Sequence, residues 1–193
     1  SKTEAGNPGL KPEHAVAAEL GYRYQINNFV GKVSGFLRNS DNSIDWVKQN
    51  VNDIWRAENI GEIDTKGIEV ELSQHFESFV KSYSLGYTFL ESKNSQPQNL
   101  MSRYVMENLK HQFVAKLENR FFKNLTNQLI YRYNERVTTG SYQTLDEKLS
   151  YDFQNLNLYI LINNITNTEY TETFGIPMPK RWFHVGFTYK IGL

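Results

Sequence analysis

Residues 156–163, Leu-Asn-Leu-Tyr-Ile-Leu-Ile-Asn, and residues 182–191, Trp-Phe-His-Val-Gly-Phe-Thr-Tyr-Lys-Ile, decide how this chain folds. In the first segment every second residue is leucine or isoleucine. In the second, one parity carries Phe, Val, Phe, Tyr and Ile, and the other carries Trp, His, Gly, Thr and Lys. Successive side chains of a strand point to opposite faces, so each segment predicts a strand with one apolar face. Earlier segments repeat this pattern, which predicts the wall of a β-barrel.

The spacing of the predicted strands favours a transmembrane barrel over a soluble sandwich. Nine strands are predicted, over residues 13–25, 28–38, 63–75, 79–90, 111–121, 125–136, 142–153, 156–163 and 182–191. Short links at 25–28, 76–78, 122–125 and 154–155 alternate with longer links at 39–62, 91–110, 137–141 and 164–180. Outer-membrane barrels alternate short periplasmic turns with long outer loops in this way. A β-sandwich also alternates apolar and polar residues, but it has no reason to segregate its links.

Composition excludes several classes of protein. The chain has 193 residues, a hydrophobic content of 39%, a formal net charge of zero and no cysteine. It has no apolar run of about 18 residues, which excludes a transmembrane helix but not transmembrane strands. A balanced charge gives no sequence-wide basic field for nucleic acid. The 12 tyrosines and 12 phenylalanines are available for aromatic girdles at membrane interfaces.

The odd number of strands leaves two interpretations open. Bacterial single-chain barrels have an even strand count, so nine strands do not close into one. Either a strand near Ile44–Val47 belongs to the wall as well, or the chain is the C-terminal part of a larger barrel.

Several motifs, in order along the chain, resemble those of the TonB-dependent outer-membrane receptors. They are Asn7-Pro8-Gly9-Leu10-Lys11-Pro12-Glu13, Asn59-Ile60-Gly61, Gly67-Ile68-Glu69-Val70, the segment Asn163 to Tyr170, and Pro179-Lys180-Arg181-Trp182-Phe183. Two residues depart from that pattern: Lys180 replaces the usual glycine before Arg181, and Glu147 lies on the apolar parity of its strand. The resemblance implies a plugged barrel of about 22 strands, of which residues 1–193 are the C-terminal part, without the plug.

Three groups of candidate residues follow, with no cofactor and no metal site predicted. Aromatic residues of the long links are candidates for ligand contact: Trp46, Trp55, Tyr104, Tyr142 and Phe174. Charged residues of polar parity are expected to face the lumen and the plug: Glu69, Glu71, Lys116, Glu118, Arg132, Lys148 and Asp152. Aromatic residues expected in the membrane-interface belt are Tyr131, Tyr133, Trp182 and Phe183. The acidic residues Asp41, Asp45 and Asp53 lack the spacing of a calcium loop and are interpreted as a solvated loop.

The resulting hypothesis is a receptor rather than an enzyme, because no catalytic motif is present. The resemblance implies outer-membrane import of a bulky solute, cobalamin in preference to an iron siderophore or heme. Expected partners are the rest of the barrel with its plug, the TonB complex, outer-membrane lipid and the solute, but not nucleic acid. An isolated chain would expose two strand edges and is expected to self-associate. The alternatives are a small passive barrel or adhesin, and a soluble β-sandwich binding module.

Overall fold

A computed structural model describes residues 3–95, 100–103, 109–137, 139–173 and 176–191. Nine long strands form one antiparallel sheet in which each strand pairs with its sequence neighbours. They are β1 (His14–Ile26), β2 (Phe29–Asp41), β3 (Ile63–His75), β4 (Val80–Asn94), β5 (Leu109–Phe122), β6 (Leu125–Arg136), β7 (Gly140–Phe153), β8 (Leu156–Asn163) and β9 (Trp182–Tyr189). The predicted antiparallel all-β fold is therefore confirmed, with strand ends displaced by only a few residues.

The sheet is open at both edges. Strand order runs from β9 through to β1, and within the described part of the chain neither of these two strands has a second partner. The segment Ile44–Lys48 is a strand, but it pairs outside this sheet, so the wall keeps nine strands. In the described residues the nine-stranded sheet has no second sheet packed along its face, as a β-sandwich requires, and the sandwich alternative is therefore wrong. The sheet is also not closed, so the described residues do not form a small complete barrel.

The short links form tight turns at one end of the sheet. Asn27 and Gln154 adopt positive φ values of 48° and 53° in the two-residue links after β1 and β7. Left-handed conformations of this kind are usual in two-residue hairpins, and asparagine tolerates them better than most residues. Because every strand reverses direction, the longer links between β2 and β3, β4 and β5, and β8 and β9 all lie at the opposite end.

Strand register divides the wall into a polar face and an apolar face. Lys32 pairs with Glu71 and Glu71 with Gly86 across β2, β3 and β4, and these residues define the polar face. Val33, Val70 and Tyr87 form the next row and point to the opposite, apolar face. Large side chains of the apolar face are exposed, and Leu20 reaches 84%.

A smaller sheet, the loop sheet, lies at the end with the long links. Its strands, in spatial order, are Glu4–Ala5, Trp55–Asn59, Ile44–Lys48 and Met101–Ser102. Leu100 packs there against the buried side chains of Val47, Ile60 and Ile63. Among the residues described, no helix is long and apolar enough to cross a membrane.

Candidate ligand-facing pocket

The link between β8 and β9 folds against the polar face of β6 and β7 and forms a pocket with it. The pocket measures about 290 Å³. It is lined by Arg132, Asn134, Tyr142, Thr144, Asp146, Asn163, Asn164, Tyr170, Glu172, Met178, Pro179 and Trp182. Three residues singled out from the sequence, Tyr142, Arg132 and Trp182, are thereby brought together.

Asp146 connects the link to the wall. Its carboxylate forms an ion pair with Arg132 of the neighbouring strand β6, and its Oδ1 accepts a 2.8 Å hydrogen bond from the backbone N–H of Asn164. Asp146 is 8% exposed, so its charge is stabilised by these partners rather than by bulk water. The hydrogen bond to Asn164 holds the start of the link against β7, and the ion pair with Arg132 holds the Asp146 carboxylate in place.

Asn164 organises the turn that follows. It adopts a φ of 51° and is 3% exposed. Its Oδ1 accepts hydrogen bonds of 3.0 Å from the Thr168 N–H and the Thr166 hydroxyl, while its Nδ2 donates to the Thr168 carbonyl oxygen at 2.8 Å. A short amide side chain that both tolerates positive φ and bonds to nearby backbone suits this position. The motif Asn163 to Tyr170 thus has a structural role.

Two stacked tyrosines form one wall of the pocket. The rings of Tyr142 and Tyr170 have centroids 4.4 Å apart and planes inclined by 21°. The Tyr142 hydroxyl donates to Glu172 Oε1 at 2.8 Å. Burial, followed by the negative charge of Glu172, raises the pKa of Tyr170 above its ordinary value. A phenol is already neutral at physiological pH, and both effects favour this neutral form further.

The other candidate ligand residues lie elsewhere. Trp46 and Trp55 belong to strands of the loop sheet, not to the pocket. Lys48 Nζ lies 4.7 Å and Arg103 Cζ 4.8 Å from the centre of the Trp55 ring, which is cation–π geometry. Tyr104 and Phe174 fall outside the described residues.

All seven residues expected to face the lumen lie on the polar face. Register places Glu69, Glu71, Lys116, Glu118, Arg132, Lys148 and Asp152 there. A groove of about 610 Å³ crosses β1 to β5 on this face and is lined by Glu69, Glu71 and Lys116. Lys32 Nζ pairs with Glu71 at 2.9 Å, and Asp152 accepts a 2.8 Å bond from Asn157. Contact between these residues and a plug remains a prediction.

The predicted interface belt needs one correction. Tyr131 and Tyr133 follow the apolar parity of β6, and Phe183 pairs with Ile162 on that face. Trp182 instead pairs with Asn163 on the polar face and lines the pocket, because adjacent residues of a strand point to opposite faces. Whether the three remaining rings lie at a membrane interface stays a prediction.

Aromatic residues at the short-turn end were not predicted to form a belt. Phe79 and Phe121 contact each other edge-on with ring centroids 5.4 Å apart, and Phe153 is 55% exposed. On β7, Phe153 lies ten positions after Gln143, whose Oε1 accepts a 2.7 Å hydrogen bond from the Tyr131 hydroxyl. At about 3.3 Å per residue and a tilt of about 45°, that distance projects to about 23 Å along the axis of a barrel. The apolar band of outer-membrane barrels is about 25 Å tall, and the position of these residues at its two borders stays a prediction.

Glu147 lies on the apolar face, as its parity predicts. Its register partners are Leu129 and Ile162, and its Oε1 accepts a 2.6 Å hydrogen bond from Asn127 Nδ2. Asn127 is buried at 4% exposure. The bond compensates part of the cost of placing a carboxylate in an apolar band.

Two of the acidic residues considered for calcium, Asp45 and Asp53 of the link between β2 and β3, accept hydrogen bonds from neighbouring groups. Asp45 is buried and bonds to the Ser102 hydroxyl and the Trp46 N–H, while Asp53 Oδ2 accepts a 2.8 Å bond from the Asn50 N–H. Among the described residues, no group of three or more His, Asp or Glu side chains is arranged to hold a metal ion.

Sequence reasoning missed Asn163, Asp146, Tyr170 and Glu172 as members of the pocket. The positions of Asp146 and Asn163 on the polar face could have been predicted, because both residues follow the polar parity of their strands, β7 and β8. Tyr170 and Glu172 lie in an irregular link where no period applies.

Comparison with known proteins identifies the family. Residues 1–165 match the family described as TonB dependent receptor-like, beta-barrel. The vitamin B12 transporter BtuB of Vibrio vulnificus is 27% identical over 95% of this chain and 31% of its own length. Among solved structures, the FrpB iron transporter of Neisseria meningitidis matches 96% of this chain and 32% of its own, with a TM-score of 0.70 and 18% sequence identity. The siderophore receptor PirA of Acinetobacter baumannii matches 96% of this chain and 33% of its own, with a TM-score of 0.71 and 16% sequence identity.

The last two similarities lie below 25% identity and support the fold alone. The chain spans about a third of the length of the curated relatives it matches. The family match covers most of the chain and agrees with the antiparallel wall described above. The chain therefore belongs to the TonB-dependent receptor-like β-barrel family, which comprises outer-membrane receptors and transporters rather than enzymes.

Proposed function

We propose that residues 1–193 supply the C-terminal part of the barrel wall, with its long outer links, to a TonB-dependent importer of a bulky solute. The observation that carries this proposal is the family match over residues 1–165, taken with the two open edges of the nine-stranded wall. Unpaired backbone groups at those edges are not tolerated in hydrocarbon. The rest of the receptor barrel is the partner that pairs with them, and an isolated chain would self-associate.

Cobalamin is the proposed solute. One relative, the vitamin B12 transporter BtuB of Vibrio vulnificus, is 27% identical over 95% of this chain. Iron transporters and siderophore receptors share the fold at lower identity, so a ferric chelate or heme is the second candidate.

The polar face suits a removable plug. Its ion pair between Lys32 and Glu71 is about half exposed on both sides, at 46% and 50% of each side chain. Exposed pairs of this kind contribute little individually, about 0 to 1 kcal/mol. Lys32 and Glu71 both belong to the wall, and we propose that charges of this face make similar, individually weak contacts with the plug, which would fix its position without locking it against a pull from TonB. The long links at the other end of the wall capture the solute, and no covalent step is involved.

Binding and uptake by the full-length receptor test this function. Purified receptor is titrated with cyanocobalamin and, in parallel, with a ferric siderophore and heme. We expect saturable binding of cobalamin to the purified receptor. We also expect cobalamin uptake by cells that carry the receptor in their outer membrane, and loss of this uptake in a strain without TonB. If the receptor binds the siderophore but not cobalamin, the siderophore replaces cobalamin as the proposed solute. Uptake that does not depend on TonB would contradict the transport mechanism.

A further inference from the structure

Gly86 lies in the middle of β4, on the polar face, and the wall itself does not require a glycine there. Among the described residues, the nearest atom to an added Cβ would be the Val114 carbonyl oxygen at 4.0 Å, which is an ordinary van der Waals distance. Gly86 pairs in regular register with Glu71 and Val114, and its φ is not positive. The wall would therefore accept alanine, which strengthens a strand relative to glycine.

Other strand glycines have a reason within the wall. An added Cβ would lie 2.6 Å from the Phe36 ring at Gly67, and 2.5 Å from the Tyr159 ring at Gly186. A glycine inside a strand otherwise marks a bulge, a bend, or a place where a ligand or another backbone approaches closely. The register of β4 shifts only near its first residues, so no bulge accounts for Gly86. The open space over Gly86 favours a group that approaches from the polar side.

Small side chains extend this open space into a hollow. On the polar face of β4, Gly86 lies between Ser84 and Thr88, and Gly21 and Ser34 continue the floor on β1 and β2. All five residues line the groove of about 610 Å³. Both neighbours of β4 in the sheet are present, so the hollow is not left by a missing strand beside it. An extended peptide can lie on this floor with its backbone close to β4.

Two charged side chains border the hollow on opposite sides and have no partner in the wall. Glu69 pairs in register with Thr88, and Lys116 pairs with Ser84. Both side chains are exposed, and neither forms an ion pair or a hydrogen bond with another described residue. At about 3.3 Å per residue and about 4.8 Å between strands, their Cα atoms are about 16 Å apart, which is too far for the two side chains to meet.

The charges of the groove suit a neutral polar occupant. Carboxylates and cations balance, with three of each sign: Glu19, Glu69 and Glu71 against Arg23, Lys32 and Lys116. A peptide backbone offers N–H groups that can donate to the Glu69 carboxylate, and carbonyl oxygens that can accept from the Lys116 ammonium group. Hydrogen bonds to charged groups are stronger than those between neutral groups. About five extended residues span the 16 Å between the two charges.

We propose that the hollow over Gly86, between Glu69 and Lys116, seats the backbone of one extended segment of the plug, and that Gly86 leaves the room for it. The inference rests on the proposed function, which supplies the plug, and it names the place on the wall where the plug is held. A larger side chain at position 86 would occupy the space of that segment and displace it.

The test uses the full-length receptor, with its plug, in detergent and in planar lipid bilayers. G86L fills the hollow, and G86A adds one methyl group that the wall accommodates. The matched control is G35L, because an added Cβ at Gly35 is equally unhindered, with the Gly67 carbonyl oxygen at 3.8 Å, but lies on the apolar face. Trypsin cleavage within the plug and the ion conductance of the receptor are measured. Heat-modifiable electrophoretic mobility verifies that each barrel is folded.

We expect the plug of G86L to be cleaved about tenfold faster than that of the wild type, with a raised conductance. G86A should lie between the two, and G35L should stay within about twofold of the wild type. E69Q and K116Q each remove one charged contact and should accelerate cleavage about threefold.

A folded G86L receptor whose plug is as protected as in the wild type would overturn the seat, and so would equal acceleration by G86L and G35L. If the G86L barrel does not fold, the other variants decide, and wild-type cleavage in G86A, E69Q and K116Q together would overturn the seat. A wild-type receptor without a protected plug would overturn the proposed function as well.

Discussion

Replacing Asp146 with asparagine should release the link between β8 and β9 without unfolding the wall. In the wild type this carboxylate holds both Arg132 and the backbone N–H of Asn164. Asparagine keeps one acceptor oxygen and has an N–H₂ donor in place of the other, so one of the two bonds is lost and the remaining one is no longer made to a charged carboxylate.

The magnitude follows from the exposure of the pair. A buried charge-assisted contact is worth about 1.5 to 3 kcal/mol. Because the Arg132 side chain is 36% exposed, water recovers part of that loss, and about 2 kcal/mol is a reasonable value. A change of this size raises the population of the open link about thirtyfold.

Limited trypsin digestion of the intact receptor in outer-membrane vesicles measures this opening. Lys180 and Arg181 have exposed side chains, but Arg181 is anchored by bonds to Asn167 Oδ1 and to the Ile165 carbonyl oxygen, and cleavage of the backbone requires this anchored segment to open locally. When opening and closing are fast, the cleavage rate follows the open population, so D146N should be cut about thirtyfold faster than the wild type. The control is D152N on the same face of the same strand, whose exposed carboxylate contacts Asn157 rather than the link.

Cleavage of D146N at the wild-type rate, with the barrel shown to be folded by its heat-modifiable mobility, would refute the role given to Asp146. Equal acceleration by D146N and D152N would refute it too, because the effect would then come from the wall as a whole.

Three further predictions concern other parts of the molecule. In G186A the new Cβ would lie 2.5 Å from the ring of Tyr159, so the receptor should lose about 1 to 3 kcal/mol in urea unfolding, and an unchanged midpoint would contradict the close packing. E147Q should match or exceed wild-type stability in the same assay, because it keeps the bond from Asn127 and removes a charge from the apolar band; clear destabilisation would show that the charge itself is needed. N59A removes bonds to the backbone of residues 11 and 42, so proteolysis within 42–62 should accelerate about tenfold, and resistance equal to the wild type would contradict this anchoring role.

The strands of the wall were predictable because apolar and polar side chains alternate along each of them with a period of two residues. Each strand has one face that must be apolar, so segments such as 156–163 show their parity in the sequence. The same rule places Glu147 correctly and, applied strictly, places Trp182 on the polar face. Trp182 is aromatic and begins a strand, which favours the interface belt, but its parity places it on the polar face, and the register agrees with the parity.

The pocket and the loop sheet were beyond prediction because their contacts are long-range and have no period. Met101–Ser102 is a strand of two residues that exists only because Lys48 and Val47 lie opposite it. The bond between Asp146 and Asn164 joins groups 18 residues apart and requires the link to turn back on β7. These contacts become visible only once it is known which distant segments of the chain lie side by side.

The loop sheet limits how this end of the protein can vary. It takes strands from the segment before β1, from the link between β2 and β3, and from the link between β4 and β5. An insertion in any one of them displaces a strand on which the others depend, as in the parallel pair of Glu4–Ala5 with Trp55 and Arg56. Lengths in the three segments should therefore change together among related receptors, whereas the link between β6 and β7, whose described residues contribute no strand to the loop sheet, is free to lengthen or shorten independently.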